Sequence, residues 1–328
     1  MHSWKKESQT FLKSGFHKIK GLMKKIKPWL SAMRLRTLPL SVSGIILGTC
    51  FAVYNGRFSW WVLVLAILTT ISLQVLSNLA NDYGDGVRGT DNEDRVGPQR
   101  AIQSGSITPD EMLDAIKFNI VLVIILTLSL IMAAFGPTNF LFLLLFIFLG
   151  GLSVYAALNY TMGDSPYGYR ALGDVFVFIF FGLVSTIGSY LLYAHKVDHV
   201  VILPAIALGL LSVGVLNLNN MRDLEADANV GKITFAVKLG IKRAKQYHYF
   251  LIVGAMLVTV LFSIFYCVSP YNFLYLIAFI PLSIHLKKIK AAKAPNDFDS
   301  QLKVLALSTF LFALLLGFGY ISFNFILN

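Results

Sequence analysis

Nine apolar stretches, most of them the length of a bilayer crossing, leave this sequence few folds to choose from. They run over about 38–55, 60–79, 115–135, 139–158, 173–193, 199–217, 248–268, 271–286 and 302–325. A hydrocarbon core takes about 20 apolar residues of helix. Inside it the backbone must satisfy its own hydrogen bonds, which selects helices. The spacing therefore predicts an all-α, polytopic membrane protein, a bundle of about nine transmembrane helices. Of the 328 residues 56% are hydrophobic and 14% charged, against about 25% charged in soluble domains. That argues against a soluble enzyme, a disordered chain or a fibre. Cys50 and Cys267 sit inside apolar runs and read as packing residues.

The connections alternate in kind. Residues 56–59, 136–138, 194–198 and 269–270 are tight turns, while 80–114, 159–172, 218–247 and 287–301 are long and polar. Net charge +11 would suggest nucleic acid in a soluble protein. Here 26 of the 28 Lys/Arg fall on the N-terminal segment and the long loops with their flanks, and only Arg57 and Lys196 on the other side. This positive-inside bias places the N-terminus and long loops in the cytoplasm and the C-terminus outside. It points to the lipid bilayer as partner, with no nucleic acid. Sixteen of seventeen acids share the cytoplasmic side, Asp198 being the exception. The chain divides into 1–33, a basic segment, and 34–328, the membrane domain. Leu12, Phe16, Ile19, Met23, Ile26 and Leu30 recur at helical spacing among lysines. That reads as an amphipathic helix on anionic lipid; it has no apolar core of a signal peptide.

Two long loops share a design. One reads NLANDYGDGVRGTDNEDRVGPQRAIQSGSIT from Asn78, the other NNMRDLEADANVGKITFAVKLG from Asn219. Both open on Asn/Asp residues and continue to a Val-Gly. They follow the second and sixth spans, an offset that suggests two four-helix repeats with facing sites. At 100° per residue, Asn78, Asn81, Asp82 and Asp85 share an arc of about 100°, as do Asn219, Asn220, Asp223 and Asp227. Carboxylates so close repel one another and are costly at membrane depth. Two such stripes face to face call for cations, and oxygen donors suit Mg²⁺ holding a diphosphate. Arg222 and Lys232 beside one stripe, and Arg95 and Arg100 beyond the other, are placed to bind phosphate oxygens.

These residues carry a resemblance. NDYGDGVRGTDNEDRVGP and RDLEADANVGKITFAVKLG resemble the two aspartate-rich motifs of the UbiA superfamily of intramembrane prenyltransferases. NYTMGDSPYGYRALGDVFVFIFFG from Asn159 and RLRTLPLSVSGIILG from Arg34 are similar to its menaquinone-synthesis branch. The superfamily's NxxxDxxxD is met by Asn81 and Asp85, but Gly89 stands at the third position. The branch carries Asp91 instead. Its DxxxD is met by Asp223 and Asp227. The resemblance implies two Mg²⁺ ions on Asn81, Asp82, Asp85, Asp91, Asp223 and Asp227, with Asn81, Asp85, Asp223 and Asp227 as the catalytic set. It implies an inner-membrane enzyme that transfers a polyprenyl group from its diphosphate to 1,4-dihydroxy-2-naphthoate. Diphosphate and carbon dioxide would leave, giving demethylmenaquinol.

The 4-hydroxybenzoate branch has a Tyr and a Lys-Arg pair in the loop after the fourth span. This chain has Tyr160, Tyr167, Tyr169 and Arg170 there, which argues for a different aromatic acid. Tyr160, Arg170 and Arg36 are the candidates for the acceptor, although Arg36 also suits a snorkelling anchor. Phe176, Phe178, Phe180 and Phe181 are candidate walls for an isoprenoid tail. A 4-hydroxybenzoate-type prenyltransferase is the alternative. A transporter is less favoured, because the carboxylates cluster at one face and not at mid-span. A CDP-alcohol phosphotransferase would need its acidic elements close together in one segment.

Overall fold

The computed structural model describes residues 26–90, 97, 99–137 and 139–327, with side chains as far as Ile321. Among these residues the named elements are all helices, and nine segments are long and apolar enough to cross a membrane. They are α1 (Leu38–Tyr54), α2 (Trp60–Val87), α3 (Pro109–Phe135), α4 (Phe140–Asn159), α5 (Gly173–Ala194), α6 (Ile202–Arg222), α8 (Phe235–Tyr266), α9 (Leu276–Ala291) and α10 (Pro295–Leu327). A short helix α7 (Leu224–Asn229) follows α6. Most of the basic amphipathic segment expected over 1–33 lies outside the described residues; 26–32 are helical.

The helices overrun their apolar windows at one end of the bundle. The second apolar run stops near residue 79, yet α2 continues to Val87; α8 starts at Phe235 and kinks at Gly240 (φ 70°, ψ 158°), and α10 starts at Pro295. A helix needs no lipid once its backbone bonds are closed internally, so it continues into the polar layer carrying charged residues with it. Local signals set the starts. Thr108 and Glu111 form a capping box at α3 with Pro109 in the first turn, satisfying N–H groups that the helix leaves open. Thr234 caps α8 by accepting from the Val237 N–H.

The bundle packs unevenly. The helix α6 lies against α5, α8 and α10, and α1 packs on α10 and α5, while α2 contacts α3 and α4. Phe51, Phe262, Phe312, Tyr190, Tyr275 and Tyr320 are fully enclosed. Only Ala156 and Ala157 of α4 are buried, so that helix is peripheral. Residues 178–188 of α5 form a π-helix, a wider winding than the α-helix on either side. Between membrane helices, lipid is as apolar as leucine, so packing and polar contacts decide the arrangement. One such contact joins four helices. The His248 and His285 Nε2 atoms are 2.8 Å apart. His285 Nδ1 meets Gln301 Oε1 at 3.3 Å, and Asn217 Nδ2 approaches His248 Nδ1 at 3.4 Å. These two histidines thus tie α6, α8, α9 and α10 together.

Candidate active site

The extended ends of α2 and α6 bring their polar residues to one end of the bundle. There Lys232 lies between two carboxylates from different halves of the sequence. Its Nζ is 3.4 Å from Asp85 Oδ2 and 3.5 Å from Asp227 Oδ1. The chain reaches this position by a reversal after α7. Gly231 adopts φ 74°, a left-handed conformation glycine reaches without a Cβ clash. The Lys232 N–H then donates to the Asp227 carbonyl at 2.9 Å, so lysine and aspartate belong to one tight turn.

The loop between α4 and α5 closes the site from a third side. Tyr169 donates its hydroxyl to Asp85 Oδ1 at 2.8 Å and lies 2.7 Å from Thr90 Oγ1. Its ring has the Arg88 guanidinium 5.4 Å from its centroid and the Lys232 ammonium 5.5 Å from it. A backbone bridge from Arg170 to Ile233 fastens this loop beside Lys232. The start of the loop packs on α2 at Gly84, where a Cβ would stand 2.5 Å from Thr161 Oγ1. Only glycine allows that approach. Thr161 Oγ1 donates to the Ala80 carbonyl at 3.1 Å and approaches Asn81 Oδ1 at 3.4 Å.

The electrostatics follow from burial and neighbours. Burial pushes the Asp227 carboxyl up to about 6, opposed by the Lys232 charge. Burial would discourage the Lys232 ammonium, but Asp85 and Asp227 outweigh it and hold its pKa above the usual lysine value. Burial raises Tyr160 to about 12. Burial and the Asp85 charge both raise Tyr169. Both phenols therefore stay protonated near neutral pH, and Tyr169 acts as a donor to Asp85.

The two acidic stripes do not converge whole. Asp85 and Asp227 meet at Lys232, with Tyr160 close enough to feel all three charges. Asp82 instead pairs with Arg34, and Arg100 Nη1 is 3.5 Å from it. These groups, with Arg36 and Gln99, line a separate cavity of about 260 Å³. Asp223 is gripped by its neighbour: Arg222 Nε donates to Oδ1 at 2.7 Å and Nη2 to Oδ2. Arg222 Nη1 also donates to Asp299 Oδ1 at 2.7 Å, and Nη2 to Asn219 Oδ1 at 3.0 Å. Its guanidinium, expected to face phosphate, is turned onto carboxylates.

Asn78 donates to the Met33 carbonyl at 2.9 Å. Arg170 is exposed, and Asp91 and Arg95 lie outside the described residues. Phe176 stacks on Tyr167 at 3.9 Å and on Phe180 at 6.2 Å, a half-buried aromatic ladder between loop and π-helix. Sequence reasoning passed over Tyr169, Thr90, Thr161 and Asp299. Tyr169 alone carried a signal, as one of several tyrosines in one short loop.

The sequence matches the UbiA prenyltransferase family over residues 41–310. The chain belongs to that family. It is 45% identical over 251 residues to the 1,4-dihydroxy-2-naphthoate octaprenyltransferase of Escherichia coli (strain K12), covering 76% of this chain and 80% of that one. The enzyme of the same name from Haemophilus influenzae is 38% identical over 311 residues, covering 92% and 97%. Among solved structures, a UbiA homolog from Archaeoglobus fulgidus bound to GPP and Mg²⁺ superposes with a TM-score of 0.63 at 15% identity. It covers 90% of this chain and 99% of that one. The membrane bundle is thus the fold of this family of prenyltransferases.

Proposed function

We propose that this protein transfers a polyprenyl group from a polyprenyl diphosphate to 1,4-dihydroxy-2-naphthoate. Diphosphate and carbon dioxide are released and demethylmenaquinol is formed, a step of menaquinone synthesis. The acceptor rests on the extended identity to two naphthoate enzymes. The site observation that carries the reaction type is the meeting of Asp85 and Asp227, from opposite halves, on the buried Lys232.

Those two carboxylates carry more charge than Lys232 offsets, and with the amide oxygen of Asn81, one helical turn before Asp85, they offer only hard oxygen donors. Such a set fits Mg²⁺. Asp91 is a further proposed ligand, while Asp82 and Asp223 are held on arginines behind these two acids. Bound Mg²⁺ supplies neutralisation of the charge that develops on a departing diphosphate. Lys232 holds phosphate oxygens from the same turn as Asp227. Tyr169 orients Asp85 through its hydroxyl. Tyr160 and Arg170 lie at the loop that faces the acceptor, and Arg36 offers a guanidinium near Asp82. The half-buried Phe176 and Phe180 give the isoprenoid chain an apolar wall and keep water from the allylic carbon.

The charge bias supports a cytoplasmic-membrane protein with N-terminus and site loops in the cytoplasm and the C-terminus outside. The test is product mass spectrometry. Purified protein receives Mg²⁺, a prenyl diphosphate and each candidate aromatic acid, with carboxyl-labelled naphthoate. The expected product is prenylated naphthalene lacking the label. A product that keeps it overturns the naphthoate assignment.

A further inference from the structure

The second acidic turn hangs on a single non-helical residue. The helix α6 ends at Arg222, Asp223 sits at φ −95°, ψ 11°, and α7 begins at Leu224. Two backbone bonds cross this joint, Asp223 N–H to the Asn219 carbonyl at 3.1 Å and Asp227 N–H to the Asp223 carbonyl at 2.8 Å. They leave the direction of α7, and with it the place of Asp227 opposite Asp85, to be fixed by side chains.

The side chains that do so are the Arg222 group. Its planar fork takes Asp223 by both oxygens, a geometry that sets orientation as well as distance. The remaining nitrogen reaches Asp299, 77 residues along the chain on the last span. Arg222 is 3% exposed, so its charge depends on these partners. The Asp299 end is anchored too. Asp297 accepts from the Lys293 and Ala294 N–H groups at 2.8 and 2.9 Å, pinning the first turn of α10.

We propose that Asp299 and Arg222 form a positioning unit. It fixes the Asp223–Asp227 turn against Asp85 and so controls Mg²⁺-dependent binding of the prenyl diphosphate from outside the contact shell. This rests on the Mg²⁺–diphosphate reading of the site given above. On it, Arg222 acts through Asp223 and does not meet the diphosphate, and the last span contributes to a site whose acidic motifs it does not carry.

The experiment uses the full chain in detergent or nanodiscs, with Asp299→Ala and the conservative Asp299→Glu. Asp299 is partly exposed, 41% by side chain, so both should fold; size-exclusion profile and melting temperature establish this. Binding of a non-hydrolysable prenyl thiodiphosphate is titrated calorimetrically with and without Mg²⁺. Asp299→Ala is expected to weaken Mg²⁺-dependent binding about tenfold. The KM for prenyl diphosphate should rise similarly while kcat stays within about threefold. Asp299→Glu should restore both to within about threefold of wild type. Wild-type affinity and KM in folded Asp299→Ala overturn the proposal. So does a fall in kcat with affinity unchanged, which a merely structural role would give. The binding arm needs no acceptor, so it stands apart from any failure on naphthoate. Absence of Mg²⁺-dependent binding in the wild type would instead sink the site reading itself.

Discussion

The acidic end of α2 and the acidic end of α6 solve one problem in two ways. Each supplies one carboxylate to Lys232, Asp85 from the first and Asp227 from the second. Each also holds a second carboxylate on arginine, Asp82 on Arg34 and Arg100, and Asp223 on Arg222. The first does this on one unbroken helix, with arginines from other parts of the chain. The second breaks its helix at Asp223 and takes its arginine from the residue next door. An unbroken helix fixes the angle between its two acids by itself, so its arginines need only neutralise Asp82. A broken one needs a brace. Division of labour within each pair, one acid toward the centre and one toward an arginine, is what the halves have in common.

The sharpest way to break this comparison is to remove the central acids. Asp85→Ala and Asp227→Ala should each cost about a thousandfold in kcat with the fold retained, the scale of losing one charge-stabilising group. Near-wild-type turnover in either would separate the halves. Removing the metal should act on both halves at once. Activity should disappear in EDTA and return with Mg²⁺ or Mn²⁺, and poorly with Ca²⁺, whose coordination is longer and looser. Activity surviving exhaustive chelation would leave the two carboxylates without their proposed purpose.

Lys232→Met should lower kcat/KM by about a hundredfold, most of it as a raised KM for the prenyl diphosphate. A pure kcat effect would place Lys232 away from the ground-state diphosphate. Asp82→Asn is the mildest probe. It keeps the shape of the side chain and removes only the charge facing Arg34 and Arg100, and should cost less than about tenfold in kcat/KM. A loss as large as that of Asp85→Ala would show that Asp82 works at the centre after all.

Much of this molecule is legible in its sequence, and the boundary of legibility is physical. Apolar runs reveal the nine membrane-length helices found among the described residues, because lipid demands such runs. They understate α2 and α10, whose polar turns are held by backbone bonds that hydropathy does not see, and α8, whose polar first turns are set off by a kink at Gly240. The acids were legible as stripes. An arc of about 100°, however, is wide enough for Asp82 and Asp85, roughly 60° apart, to face different partners. The Asp82–Arg34 and Arg222–Asp299 pairings link residues 48 and 77 positions apart. Such contacts depend on how helices pack, and helical periodicity carries no record of them. Tyr169 escaped for a related reason, since its contact with Asp85 spans 84 positions.

Lys232 has a consequence for how the protein is made. Where a site consists of bare carboxylates, mutual repulsion opposes assembly until a metal arrives, and folding becomes a reading of metal supply. Here the chain brings an internal cation to the meeting point of its two halves, already placed between Asp85 and Asp227. The two acidic ends can come together during insertion on the strength of that one side chain. On the proposed reading, the lysine ammonium stands in the folded chain where a divalent ion would otherwise be needed to offset the two acids.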